Sequence, residues 1–144
     1  MADHLHSEQT HRSGFSYLFS DKHHGGDRNA ARWSLELSEA EEFSVFDNAD
    51  LHDISDDRQY LYGVLRMGDV LRKLGTLKQQ VAEFPHADEG QPWHGYPHYP
   101  LQEVGPPNRR GEKCRPEKIV FEIMERVGLL TKRHRKRLMK GDHA

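Results

Sequence analysis

The sequence predicts a small α+β domain, in which short N-terminal strands and helices precede a proline-rich aromatic loop and a C-terminal αα-hairpin. Its 144 residues match one ordinary domain. Leu, Ile, Val and Phe make up 30 of these residues, just above the roughly 20% below which disorder is expected. All seven prolines lie between Pro85 and Pro116. Because proline interrupts helices and central strands, we expect a loop over residues 85–116 and a modest core.

The composition excludes several classes of protein. The chain has no run of eighteen apolar residues, so we expect no membrane-spanning helix. Cys114 is its single cysteine, which excludes a disulfide scaffold. The first residues lack the apolar segment that secretion signals carry. We therefore expect a cytoplasmic protein.

The net charge of -2 is the sum of two oppositely charged parts. Residues 1–104 carry 9 Lys or Arg and 18 Asp or Glu, a net charge of -9, and residues 105–144 carry 12 and 5, a net charge of +7. Residues 36–57 hold nine acids and no Lys or Arg, whereas residues 132–140 hold six basic residues and no acid. Such asymmetry indicates a charged partner, or docking of one part on the other.

The body of the domain is expected over residues 14–84, after a flexible tail at residues 1–13. The apolar residues of 15–19 predict a strand, and the alternation of apolar and polar residues over 33–37 predicts another.

Two pairs of residues have the capping-box spacing, in which a Ser or Thr precedes a Glu or Gln by three positions. Ser38 with Glu41 predicts a short helix. Thr76 with Gln79 predicts a helix over 77–84 that stops before a proline.

Residues 56–74 fit either one amphipathic helix or a hairpin with strands over 60–66 and 70–74 and its turn at residues 67–69. A helix would contain Gly63 and Gly68, each costing about 1 kcal/mol relative to Ala. The hairpin is the favoured interpretation, because Tyr and Val are enriched there and a glycine lies at the turn.

The C-terminal residues predict two helices. Apolar residues recur at helical spacing over 117–127, and Thr131 suits the cap of a second helix over 132–140. Gly128 and Gly141 suit the two helix ends. We therefore expect an αα-hairpin.

The basic residues of the second helix predict a surface that binds nucleic acid or a nucleic-acid-associated protein, since cations displace counterions from phosphates. Basic residues in the preceding loop and two aromatic residues able to stack on bases would extend it. The predicted nucleic-acid-binding residues are Trp93, Tyr96, Arg109, Arg110, Lys113, Arg115, Lys132, Arg133, Arg135, Lys136, Arg137 and Lys140. The alternatives are a solvated helix, or a helix docked on residues 36–57.

The segment Trp93–Leu101 concentrates three aromatic residues and two histidines. Its aromatic residues either stack on bases or fasten the loop onto the domain. Fastening is the favoured interpretation, because a chain with a small core needs each large apolar side chain for packing.

An enzymatic alternative uses the same segment. His94 and His98 would act as general acid and base, while Arg109 and Arg110 would stabilise phosphate charge in a small metal-independent nuclease. No glycine-rich phosphate loop or nucleophile elbow supports a reaction. A non-catalytic regulatory protein without a cofactor is therefore the favoured interpretation.

Eleven histidines raise the question of a metal site. The candidate groups are His94 with His98, His23 and His24 with Asp27, and His52 with Asp50, Asp53 and Asp57. None has a zinc-site spacing, so we expect no metal.

The acidic residues 36–57 allow one further alternative. An inhibitor or DNA mimic that binds a basic protein partner would present such carboxylates among apolar residues, whereas a solvated helix and loop is the more common reason for them.

Overall fold

A central antiparallel sheet is built from three short strands. The computed structural model describes residues 2–24, 32–98 and 116–144. The helices in these ranges are α1 (Glu39–Leu51), α2 (Lys118–Arg126) and α3 (Lys132–Met139), and the strands are β1 (His4–Leu5), β2 (Leu18–Phe19), β3 (Leu61–Gly63), β4 (Arg66–Met67), β5 (Val70–Leu71), β6 (Ala82–Phe84) and β7 (Tyr96–Pro97). The antiparallel strands and the α2–α3 pair confirm the α+β class and the C-terminal αα-hairpin.

The two faces of the sheet differ in polarity. The strand order is β3–β6–β7, with Tyr62 opposite Glu83 and Glu83 opposite Tyr96. Because side chains alternate between faces along a strand, these three polar residues share one face. β7 lies at the edge of the sheet, where Pro97 is tolerated. Part of the loop predicted over 85–116 is therefore an edge strand, and its residues 99–115 lie outside the described residues.

Helix α1 covers the apolar face of the sheet. Its predicted capping box is confirmed, because the Ser38 hydroxyl accepts from the Glu41 N–H at 3.1 Å and the Glu41 carboxylate accepts from the Ser38 N–H at 3.0 Å. The helix extends to Leu51 and is longer than predicted. The buried residues that join α1 to the sheet are Phe43, Val45, Phe46, Ala49, Leu61, Ala82 and Phe84.

The α2–α3 hairpin forms a second apolar cluster with the strands. Tyr62, Val64, Leu71 and Val81 contribute from the strands and their flanks, and Val120, Phe121, Met124, Leu130 and Leu138 contribute from the hairpin. Gly128 and Gly141 have φ of 84° and 82° after their helices, which is the left-handed conformation that ends helices.

The hairpin predicted within residues 56–74 is confirmed over residues 66–71 alone, because β3, expected in its first strand, pairs with β6 instead. β4 pairs with β5, with Met67 opposite Val70. Gly68 has a φ of 63° in the intervening turn, a conformation that glycine adopts at little cost.

The helix predicted over 77–84 is wrong, because β6 occupies the end of that segment. Gln79 closes a turn instead. Its carbonyl accepts from the Leu74 N–H at 2.6 Å, and its side-chain oxygen accepts from the Leu77 N–H at 2.9 Å. Lys78 has a φ of 64°, which no α-helix continues. The missed signal is the short apolar–polar alternation of β6.

Two N-terminal predictions also change. The strand predicted over 33–37 is wrong: Trp33 forms one bridge to Gly75, and Leu35 is 75% exposed. Residues 2–13, predicted as a flexible tail, contact the body through β1, which pairs with β2.

Substitution of Gly63 by Ala tests the contact between α1 and β3. A Cβ at Gly63 would lie 2.6 Å from Val45 Cγ1 and 2.7 Å from the Val45 carbonyl oxygen. We expect Gly63→Ala to reduce the free energy of unfolding in urea by about 1–3 kcal/mol, as overpacking does. Adding Val45→Ala removes only the side-chain clash, so the double variant should not recover wild-type stability. A single variant as stable as the wild type would contradict this packing.

Candidate functional site

Helix α3 begins with a second capping box, formed by Thr131 and His134. The Thr131 hydroxyl accepts from the His134 N–H at 3.0 Å, and His134 Nδ1 accepts from the Thr131 N–H at 3.2 Å. The predicted cap at Thr131 is therefore confirmed. His134 Nε2 donates to the Asp69 carbonyl at 2.8 Å, which fixes the start of α3 against the β4–β5 turn.

Four cations of α3 line an open groove of about 410 Å³. These residues are Lys132, Arg133, Lys136 and Arg137. Arg137 Nε donates to the His143 carbonyl at 2.6 Å. Over residues 2–24, 32–98 and 116–144, no carboxylate oxygen lies within 4.0 Å of a side-chain nitrogen of the four. The groove thus offers concentrated positive charge to an anion.

The arrangement of these charges is locally unfavourable. Lys132 and Arg133 are in the first turn of α3, which has no acidic residue, and the N-terminal end of a helix repels cations. The pairs Lys132–Lys136 and Arg133–Arg137 have i,i+4 spacing, at which like charges destabilise a helix by about 0.2–0.5 kcal/mol. The stability of the helix therefore does not explain why Lys132 and Arg133 stand in its first turn.

Two further residues of the predicted set on α3 have different surroundings. Arg135 forms a hydrogen-bonded ion pair with Glu125 of α2, so it joins the two helices. Lys140 is the C-cap residue and is exposed, where the helix end favours a cation. Arg109, Arg110, Lys113 and Arg115 lie outside the described residues.

The two aromatic residues of the predicted set pack against the body. Trp93 is 4% exposed and belongs to the cluster beneath α1. Tyr96 is half-buried, and its hydroxyl donates to Glu83 Oε2 at 2.6 Å. These contacts favour the fastening interpretation, because a base cannot stack on a ring that is covered by the core.

The polar face of the sheet carries a network that the sequence did not indicate. The Tyr62 hydroxyl lies 2.8 Å from Asp56 Oδ2 and 3.0 Å from Glu83 Oε1, and Arg58 Nη2 donates to it at 3.0 Å. Burial and the charge of Glu83 raise the pKa values of Tyr62 and Tyr96. Burial would raise the pKa of Asp56, but hydrogen bonds from Tyr62 and Arg58 outweigh it and lower that pKa. Tyr62, Glu83 and Tyr96 become neighbours through the register of β3, β6 and β7. The sequence does not show which strands pair, so it gave no sign of this network.

The two histidines of the enzymatic alternative are His94, which precedes β7 in the chain, and His98, which follows it. His98 is 5% exposed, with its ring centroid 6.5 Å from that of Tyr62. His94 is half-buried, and its ring centroid is 5.9 Å from that of His23. Burial lowers the pKa of His94, and the charge of Lys22 lowers it further. Their proposed partners Arg109 and Arg110 are outside the described residues.

A carboxylate cluster lies beside the network. Oxygen atoms of Asp56, Asp57 and Glu117 are within 4.8 Å of one another, and Asp57 and Glu117 are exposed. A hydrogen bond with Asp57 raises the pKa of Glu117. The raised pKa of Glu117 reflects the proximity of these carboxyl groups to one another.

The acidic residues of α1 are largely occupied by partners from the same chain. Glu39 pairs with His4, Glu41 with Arg72, Glu42 with His24, Asp47 with His11, and Asp50 with Arg12. None of the ion pairs between described residues joins α1 to α3. Fewer carboxylates are therefore open to a basic partner than the sequence count implies.

Two members of this set are buried, Asp50 at 0% exposed and Glu42 at 3% exposed. Glu42 Oε1 lies 2.6 Å from His24 Nε2, and the Tyr17 hydroxyl donates to Glu42 Oε2 at 2.6 Å. The other nitrogen of His24 faces the Ser20 carbonyl at 2.5 Å. Since both ring nitrogens face acceptors, the geometry favours a protonated His24.

Among the described helices, none is long and apolar enough to cross a membrane. Comparison with protein-family models, with curated proteins and with solved structures gives no match.

The His24–Glu42 pair predicts a pH-dependent stability. Burial would lower the pKa of His24, but the hydrogen bond and charge of Glu42 outweigh it, so the pKa is raised above 6.5. The stabilisation is then complete below about pH 6.5 and is lost as pH rises through the folded-state pKa. Urea unfolding from pH 5.5 to 8.5 measures it. His24→Gln should flatten this part of the profile, whereas exposed His86→Gln should not. An unchanged profile in His24→Gln would contradict the assignment.

Proposed function

We propose that this protein is a non-catalytic binding protein whose helix α3 contacts the phosphate backbone of nucleic acid. The observation that carries the proposal is the groove lined by Lys132, Arg133, Lys136 and Arg137. Phosphates are the anions that such a row of cations neutralises with release of counterions.

The local electrostatics of α3 support an anionic ligand. Two cations at the N-terminal end of the helix and two like-charged i,i+4 pairs lower the stability of the free protein. A bound phosphate backbone removes this repulsion, because it places negative charge where the helix end favours it. Departures from local optimality of this kind are typical of functional surfaces.

The contacts of α3 also distinguish this proposal from docking on the acidic segment. Arg135 pairs with Glu125, and His134 bonds to the β4–β5 turn, so α2 and that turn hold the helix. The carboxylates of α1 have other partners in the same chain. Among the described residues, no carboxylate pairs with the groove cations, which supports a partner from outside.

A salt titration of binding tests the proposal. A fluorescent oligonucleotide of about 20 nucleotides is the probe, and anisotropy gives the affinity at each salt concentration. Four phosphate contacts should give a slope of log K against log salt near -3, at about -0.7 per phosphate for a single strand. A gel of the same mixtures shows whether the oligonucleotide stays intact, as a non-catalytic protein requires. Absence of binding at low salt, or cleavage, would refute the proposal.

Reversing one charge at the start of α3 should separate binding from folding. We expect Lys132→Glu to weaken oligonucleotide binding and to make the salt slope shallower by about 0.7, the share of one phosphate contact. The same change should raise the free energy of unfolding by about 0.3–1 kcal/mol, because an acid suits the N-terminal end of a helix.

The matched control is Lys22→Glu, which makes the same charge change at an exposed residue outside the helix pair. It should leave the salt slope unchanged. An equal loss of affinity in both variants would mean that net charge, rather than the groove, governs binding.

A further inference from the structure

The turn between β4 and β5 exposes an apolar pair beside the basic helix. Met67 is 54% exposed and Val70 is 63% exposed. The two residues lie opposite each other across the strands, so their side chains project from the same face. The tip of this hairpin therefore presents a small apolar surface to solvent.

This tip is attached to the start of α3 and to the loop that precedes it. His134 Nε2 donates to the Asp69 carbonyl at 2.8 Å, and Arg66 Nη1 donates to the Gly128 carbonyl at 3.0 Å. Asp69 is adjacent in sequence to Val70, and His134 is adjacent to Arg133. The hydrogen bond therefore places the backbone of the apolar tip next to the first turn of α3, where Lys132 and Arg133 are exposed.

We propose that this combined surface binds single-stranded nucleic acid, with α3 contacting phosphates and the hairpin tip contacting the faces of unstacked bases. The inference rests on the proposed function and names its substrate class. The cations of α3 favour a ligand that carries phosphates. The apolar pair Met67 and Val70 favours bases whose faces are accessible, as they are in a single strand.

The dimensions of the surface favour a single strand over a duplex. Helix α3 has eight residues, so it is about 12 Å long, which is short for a helix that reads a major groove. In a duplex the base faces are stacked on one another and only their edges line the grooves. An apolar pair gains most from bases that are already unstacked.

One charge on this surface opposes the ligand. The Asp69 side chain is 98% exposed and lies 3.9 Å from Arg66. Its position beside Val70 would repel a passing phosphate. Asp69→Asn should therefore strengthen binding of a single strand, while the backbone carbonyl that holds His134 is retained.

The test compares the wild type with the double variant Met67→Gln and Val70→Thr. Both substitutions conserve side-chain shape, and the amide oxygen introduced by Met67→Gln can replace the sulfur that Arg72 Nη1 approaches at 3.3 Å. The probes are an oligothymidylate of about 20 nucleotides, a duplex of the same length and inorganic polyphosphate. Leu5→Ser, at an exposed apolar residue of another sheet, is the matched control.

We expect the double variant to lose about tenfold in affinity for oligothymidylate, as the loss of two apolar contacts predicts, with an unchanged salt slope. Its affinities for duplex and polyphosphate should equal those of the wild type, and Leu5→Ser should match the wild type with every probe. Equal oligothymidylate affinity in the double variant and the wild type would overturn this inference and leave the proposed function standing. An equal loss with duplex or polyphosphate would also overturn it. A wild type that binds none of the probes would overturn both.

Discussion

The antiparallel pairing of β3 with β6 is the constraint on which the other parts of the domain depend. Leu61 opposite Phe84 and Gly63 opposite Ala82 form a flat apolar face, on which α1 packs closely. The cross-strand pair of Tyr62 and Glu83 lies on the other face. On that face, Tyr62 and the apolar residues of its cluster pack against the α2–α3 hairpin. A shift of one residue would exchange the two faces. The register therefore determines where both apolar clusters form.

The position of α3 follows from this arrangement. Leu138 enters the second cluster, His134 contacts the β4–β5 turn, and Arg135 pairs with α2. These contacts use one side of a two-turn helix, which leaves the groove cations on the solvent side. The favourable contacts of the buried side offset the repulsion among those cations. A stable scaffold can thus hold a charge arrangement that α3 alone would not favour.

Local signals predicted some elements well and failed at others for identifiable reasons. Ser38 and Thr131 each start a helix, because the residue three positions later completes a reciprocal pair of hydrogen bonds. Thr76 and Gln79 have the same spacing, yet Gln79 closes a turn and β6 follows. The difference is tertiary, since β6 gains its ladder of hydrogen bonds from β3 and β7 and its burial from α1 and the rest of the apolar cluster. Leu35 shows the converse, because this residue lies in an apolar alternation that has no partner strand, and its side chain is exposed.

The amino-acid order alone specified the class of fold, the basic C-terminal hairpin and its caps, because charge, helical periodicity and capping act over a few residues. It could not show that Arg135 forms an ion pair with Glu125, that acidic residues of α1 pair with histidines, or that Trp93 is buried. Nor could it place Met67 and Val70 beside the first turn of α3. These relations join residues distant in the chain, and they exist only once the sheet register has set which surfaces meet.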